Sequence, residues 1–464
     1  MTKAHYLPLI VLISSHAAAQ DGVLDLTAPA NYAAQPVPNY IQKDNTPANN
    51  PIRDHGATLG RVLFYDVRLS TDSTISCASC HQQENGFGDL DLASTGVDGT
   101  TGRHSMRLIN SRFSTEPRFF WDERAATLEA QSTQPIQDHV EMGFSGEGGD
   151  PDFSDLVTRL SAIEEYQVMF RSVYGDETIT EGRVQQVLAQ FVRSIQSFDS
   201  KYDTGRAQVG NGGANFPNYT ASENRGKNLY LTAPQQGGAG CNACHNAPEF
   251  DIDPNSRSNG VVGSIGGGTD TTNTRSPSLR DLADADGNLN GGLMHNAIFN
   301  SLRQAIDHYN AIPNPAPANL DPRLAGGPGG PGGPGGGTQQ LNLTETEKAE
   351  KTDLENFLLT LSGTSVYADP KWASPFNAAG NLSLIVLPTS IATISVANAG
   401  EVTEMVTVST PGVPNIAYLY SSSSDLATWT EPEAITADAN GVVSVTRLVT
   451  AGKQFYRIGY AVAD

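Results

Sequence analysis

Cysteine is scarce in this 464-residue chain, with four in all, and tryptophan scarcer still, with three. Four cysteines cannot build a disulfide-dense scaffold, so a body of this length has to hold itself together by apolar packing. Basic side chains are also few, 29 against 50 acidic ones. The net charge of -21 makes nucleic acid and anionic membrane poor partners and leaves a basic contact face on another protein as the surface that would be drawn in. Long apolar runs are missing as well. The run from Leu7 to Ile13 is too short to span a bilayer, and with Lys3 and His5 before it and Ala17 and Ala19 after it, residues 1–19 read as a secretory signal peptide cleaved near Ala19. No membrane span is expected beyond it, and the processed protein is expected in the periplasm, outside the cell or on its surface.

What is present divides the chain by composition. Residues 20–50, rich in Pro, Asn and Ala without a period, suggest an extended N-terminal arm. Between Thr180 and Phe198, Val184, Val187, Leu188, Phe191, Val192 and Ile195 recur at helical spacing behind Thr180 as cap, which predicts a buried helix closing a first domain at 51–205. Gly210 to Ala214 then offers a hinge into a second domain at 206–365. Its closing helix is announced by a capping box, Thr344 and Glu347, ahead of Leu354, Phe357, Leu358 and Leu361, with Gly363 as the stop. The Gly and Pro run at 326–337 cannot pack and reads as a surface insertion. From 368 to 464 short β-prone runs separated by turn residues predict a small all-β, sandwich-like domain, separable from a mostly α body.

The four cysteines fall in two pairs, each followed by histidine: Cys77, Cys80 and His81 in CASCH, and Cys241, Cys244 and His245 in CNACH. Two thiols one turn apart can add to the two vinyl groups of one porphyrin, and the adjacent imidazole then reaches the iron. Two structural disulfides or a Cys/His zinc site are the alternatives. A two-residue spacer makes only a small strained loop, and neither alternative accounts for a histidine after both pairs, so two covalently bound haem c groups are expected.

Around these motifs the chain resembles the bacterial di-haem cytochrome c peroxidases and their relative MauG, a di-haem enzyme that matures a tryptophan-derived quinone cofactor. The resemblance runs from about Ala57 to Gly363. It rests on LGRVLFYDVRLSTDSTISCASCH, RHSMRLIN from Arg103, FFWDERAATLEAQSTQPIQDHVEMG from Phe119, the second haem motif, PSLRDL from Pro277, MHN from Met294 and AIDHY from Ala305. It implies two mostly helical, cytochrome c-like domains with one haem in each.

The resemblance also implies roles. The first haem would take the peroxide, with Glu141 as proton carrier and Gln131 and Pro135 lining the same pocket. Trp121 would couple the two haems. Some members close the first haem at rest with a loop histidine, whereas the loop here, Ser94 to Gly102, has none; His104 reads as a packed residue, so this haem is expected to be open without prior reduction. Tyr309 would be the sixth ligand of the second haem in place of a methionine, with Met294 as its competitor, and a phenolate would lower that haem's potential. A calcium ion between the domains would use the Asn110 side chain and the carbonyls of Asn290 and Gly292.

The sequence is thus read as a di-haem peroxidase that reduces hydrogen peroxide with electrons from a small carrier, a cytochrome c or a cupredoxin. A MauG-like oxidase acting on side chains of a partner protein is the second reading, and an electron-transfer cytochrome the third. An electron carrier has no use for a distal acid such as Glu141.

Overall fold

Apolar side chains on one face of Glu181–Ser194 press this helix against Asp54–Tyr65. In the computed structural model, which describes residues 21–310, 312, 316–324, 347–387, 393–397, 405–448 and 455–460, the expected cap is in place: Thr180 accepts from the Arg183 N–H. A Cβ on Gly60 would stand 2.0 Å from the carbonyl oxygen of Val187, so the two helices cross at a distance that only glycine allows. The second half repeats the device. Gly226 in Ala221–Leu231 would place a Cβ 1.8 Å from the Asp353 carbonyl oxygen in Glu347–Leu359. The signal peptide, the 326–337 insertion and Thr344 of the expected capping box lie outside the described residues.

Each helix pair carries its own core. Leu63, Phe64, Phe87, Leu188 and Phe191 belong to the first, and Tyr202, Tyr230, Phe250 and Phe357 to the second. The ion pair of Arg280 with Asp203, two bonds of 3.0 Å with the guanidinium fully buried, ties the second core to the helix Lys201–Arg206. Among the described residues no helix is long and apolar enough to cross a membrane.

The N-terminal segment binds both halves. Val23–Asp25 pairs in parallel with Ser383–Ile385, and buried Tyr32 donates to the Lys371 carbonyl. Further along, Tyr40 donates to Asp203, and Lys43 pairs with Asp251 at 2.5 Å.

Among the described residues, the C-terminal region forms two three-stranded antiparallel sheets, one ordered Glu433–Thr436, Ala417–Ser423, Phe455–Tyr460 and the other Val442–Leu448, Met405–Pro411, Thr393–Ala397. The segment that joins it to the helical body is not a loose connection. Trp372 is 2% exposed, donates its indole N–H to Ser194 and accepts from Tyr65 at its carbonyl, and it belongs to the same core as Phe64 and Phe191. The residues that follow Ala368 therefore complete the first core.

Candidate functional site

The first CxxCH segment is a single turn, Cys77–Cys80, whose start is closed by Ser76 and Ser79 in a reciprocal cap. This turn aims Cys77, Cys80 and His81 into a cavity of about 630 Å³. Both thiols are free. His81 is buried, which pushes its pKa down to about 4 and keeps the imidazole neutral. Its Nδ1 lies 3.2 Å from the Phe87 carbonyl, an orientation that leaves Nε2 for a metal. Gln131, Pro135 and Glu141 line the same cavity, Gln131 from the short helix Leu128–Ser132 and Glu141 from the loop after it. Burial, helped by the nearby Asp138 carboxylate, pushes the Glu141 carboxyl up to about 7.

The loop that lacks a histidine folds as a hairpin in which Thr95–Gly96 pairs with Gly99–Thr100. It is fastened to the Glu141 segment by Val97 N–H to the Glu141 carbonyl (3.1 Å) and Asp98 N–H to the Val140 carbonyl (3.2 Å). His104 lines the cavity wall, 5% exposed, with its Nδ1 3.0 Å from the Asp91 carbonyl.

A second cavity, of about 190 Å³, is lined by Cys241, Cys244, His245, Met294 and Tyr309. The cysteines here open a 3-10 turn at Cys241–Ala243 and His245 begins a short strand, its pKa pushed down to about 4 by burial. Nδ1 of His245 is buried without a hydrogen-bond partner. Tyr309 projects from Leu302–Asn310 and is buried, which raises its phenol pKa. Met294 enters from a turn at φ 74°.

The two cavities share a wall made of His104, Arg107, Trp121, Arg275 and Pro277 among others. Trp121 is clamped in it: its indole donates to the His104 carbonyl at 2.8 Å, and its own carbonyl accepts from Thr274 and Arg275 N–H. Arg107 and Arg275 are buried cations, pulled down to about 10 by burial, and each has an Nε without a partner. A buried guanidinium with an open N–H favours an anionic partner, so this wall can receive carboxylates. Paired free thiols, a neutral imidazole behind each pair and unpartnered guanidinium N–H groups between them fit two covalently attached haems, with thiols for the vinyl groups, imidazole for the iron and guanidinium for the carboxylates.

Asn110 closes on Ser197 in both directions, Oδ1 accepting at 2.9 Å and Nδ2 donating at 3.1 Å. Asn290 gives its amide N–H groups to the Asp281 carbonyl and to Tyr367, and a Cβ on Gly292 would collide with Ala297. The Asn110 side chain is thus engaged within the protein, and the carbonyls of Asn290 and Gly292 are the expected oxygen donors that remain.

Three residues of these cavities escaped the sequence reading: Arg107, Arg275 and Asn259, the last of which touches Tyr309. Arg107 and Arg275 stand inside or beside motif segments, yet an arginine in a sequence reads as surface; only burial reveals them. Asn259 lies in the loop SNGVVG and carried no signal.

Comparison with known proteins finds relatives of this chain. A profile of the di-haem cytochrome c peroxidase family matches residues 54–209. The methylamine utilization protein MauG of Methylophilus methylotrophus is 30% identical over 289 residues, which are 60% of this chain and 79% of that one. Cytochrome c551 peroxidase of Nitrosomonas europaea is 31% identical over 220 residues, 47% of this chain and 57% of that one. Among solved structures, a MauG-like protein associated with microbial copper homeostasis matches with a TM-score of 0.56 at 28% identity, covering 73% of this chain and 98% of that one.

Proposed function

The chain belongs to the di-haem cytochrome c peroxidase and MauG family, and on that premise we propose that it reduces hydrogen peroxide to water with electrons from a small exported carrier, a cytochrome c or a cupredoxin. The observation that supports this most is a half-buried carboxyl, Glu141, in the cavity that also holds Cys77, Cys80 and His81. Cys77, Cys80 and His81 would hold one haem and Cys241, Cys244 and His245 the other, with Tyr309 opposite His245. When bound, the haems supply an iron that takes peroxide in the first cavity and a second centre that stores or passes electrons.

Reducing one peroxide takes two electrons and two protons, and proton movement is the protein's task. Held near neutrality, the Glu141 carboxylate can accept the proton from the near peroxide oxygen and return it to the far one, which then leaves as water. Gln131 and Pro135 shape the pocket on the same side and hold peroxide in line with Glu141. The hairpin at Thr95–Thr100 restricts water on the Glu141 side, and without a histidine it has no side chain to block the iron. Trp121, fixed by three backbone contacts in the common wall, is the relay between the two cavities.

One observation favours a second reading. A phenol in the cavity that His245 also lines would suit a centre that stays oxidised, and such a centre would draw electrons from side chains of a partner protein rather than from a carrier. Mixing the oxidised, haem-loaded protein with hydrogen peroxide tests both. Intact mass should first show two haem additions. The oxidised protein should then consume peroxide and change its Soret band without prior reduction. If it reacts only after one-electron reduction, the readings of the open first site and of Tyr309 both fall; if it is inert in every oxidation state, the peroxidase reading falls.

A further inference from the structure

Besides its histidines, the second cavity is lined by two residues able to bind a haem iron, Met294 through its thioether sulfur and Tyr309 through its phenol oxygen. Their consequences differ: a thioether raises a haem's potential, whereas a phenolate favours the oxidised states. One side chain touches both. Nδ2 of Asn259 lies 3.1 Å from Met294 Sδ and 3.4 Å from Tyr309 Oη. An amide nitrogen carries two N–H groups, one for each neighbour.

The rest of Asn259 is tied down. Its Oδ1 accepts from the Val261 N–H at 3.0 Å, which fixes the amide so that nitrogen, not oxygen, faces the two ligand atoms. Its main-chain carbonyl lies 2.9 Å from Nε2 of His308, the residue before Tyr309. Asn259 and the Leu302–Asn310 helix are thereby held in register. Met294 is delivered from a left-handed turn, φ 74°, with Ala297 N–H bonded back to its carbonyl, so its backbone cannot easily carry the sulfur elsewhere.

We propose that Asn259 selects the sixth ligand of the second haem. One N–H engages the sulfur lone pair and holds the thioether off the iron. The other meets the phenol oxygen and stabilises the negative charge that this oxygen bears as a ligand. Asn259 touches neither iron nor peroxide and is therefore a positioning residue. The inference rests on the reading of Tyr309 as axial ligand.

The test is made on the full-length, haem-loaded protein with Asn259→Leu, which keeps the branched shape and removes both donors. The oxidised spectrum should lose its tyrosinate signature and gain that of thioether ligation, and the potential of the second haem should shift upward. Adding Met294→Leu should abolish the thioether signature. Asn259→Asp, which preserves the acceptor for Val261, should change the ligand signature in the same direction, and it serves if the leucine variant fails to load haem. If Tyr309→Phe shifts the spectrum while both Asn259 variants keep the wild-type spectrum and potential, this inference is overturned and the Tyr309 reading stands. If Tyr309→Phe changes nothing, the Tyr309 reading itself fails.

Discussion

Glu141 carries a cost along with its use. Its carboxyl is raised from 4.5 to about 7 by burial, with Asp138 adding to the shift. An unfolded chain would release that proton near the ordinary value, while the folded one keeps it to about pH 7, so stability falls as pH rises between the two. Below the ordinary value the penalty is absent; above pH 7 it is complete, about 3 kcal/mol at roughly 1.4 kcal/mol per pKa unit. Glu141→Gln should therefore raise the thermal midpoint at pH 8 and leave it unchanged near pH 4. The same variant should lose about 100-fold or more in peroxide turnover, the usual worth of a positioned proton carrier, with both haem spectra intact. In the wild type, turnover should fall on an acid limb near pH 7 as Glu141 becomes protonated, and the variant should lack that limb. Wild-type turnover in the variant would place the proton path elsewhere. This residue was legible in the sequence only through the spacing Gln131, Pro135, Glu141 within a longer motif, because a lone Glu reads as surface. Asn259 was not legible at all: its role depends on a loop folding back onto a helix about 50 residues later in the chain, which no local pattern announces.

At the scale of elements, the periodic helix around Leu188 and the alternating strands around Val443 were readable because their burial follows a local period. The hairpin over the first cavity was not. Ser94 to Gly102 is polar and Gly-rich, and it reads as loop; what gives it shape is the carbonyl edge of Val140 and Glu141, to which it bonds. Gly96 is where the contact is closest, since a Cβ there would lie 2.0 Å from the Val140 carbonyl oxygen. Gly96→Ala should therefore push the hairpin off the Glu141 segment and break both backbone bonds. The expected outcome is retention of both haems, seen by mass, with turnover reduced about 10-fold or more and a destabilisation of about 1–3 kcal/mol, in the range of overpacking. Unchanged turnover would mean that the hairpin does not hold Glu141 in place.

Across the whole molecule, the resemblance to a known family ends near Gly363 and the composition changes there, so the sequence suggested a seam at that point. The packing crosses it. Gln83, two residues past His81, donates to the carbonyls of Val366 and Asp369 at 3.0 Å each, and Trp372 fills the core beside Phe64 and Phe191. Tyr32 and Arg61 both hold the Lys371 carbonyl, which joins the N-terminal arm to the same place. A tryptophan in the polar stretch ADPKWASP offers no period to read, and only the tertiary fold decides its burial. Three changes separate this arrangement from a dispensable tail. Trp372→Ala should cost about 3–5 kcal/mol, the loss for a large buried aromatic, seen as a lower thermal midpoint. Ending the chain after Gly363 should abolish loading of the first haem, because the turn carrying His81 loses its support through Gln83. Ending it after Leu387 keeps Trp372 and the strand Ser383–Ile385, and should load both haems, though with a lower thermal midpoint because Tyr418 and Val443 also reach the first core. Intact mass counts the haems in each case. Two haems and an unshifted midpoint in the chain ending at Gly363 would show that the contacts of Gln83 and Trp372 are incidental to the site.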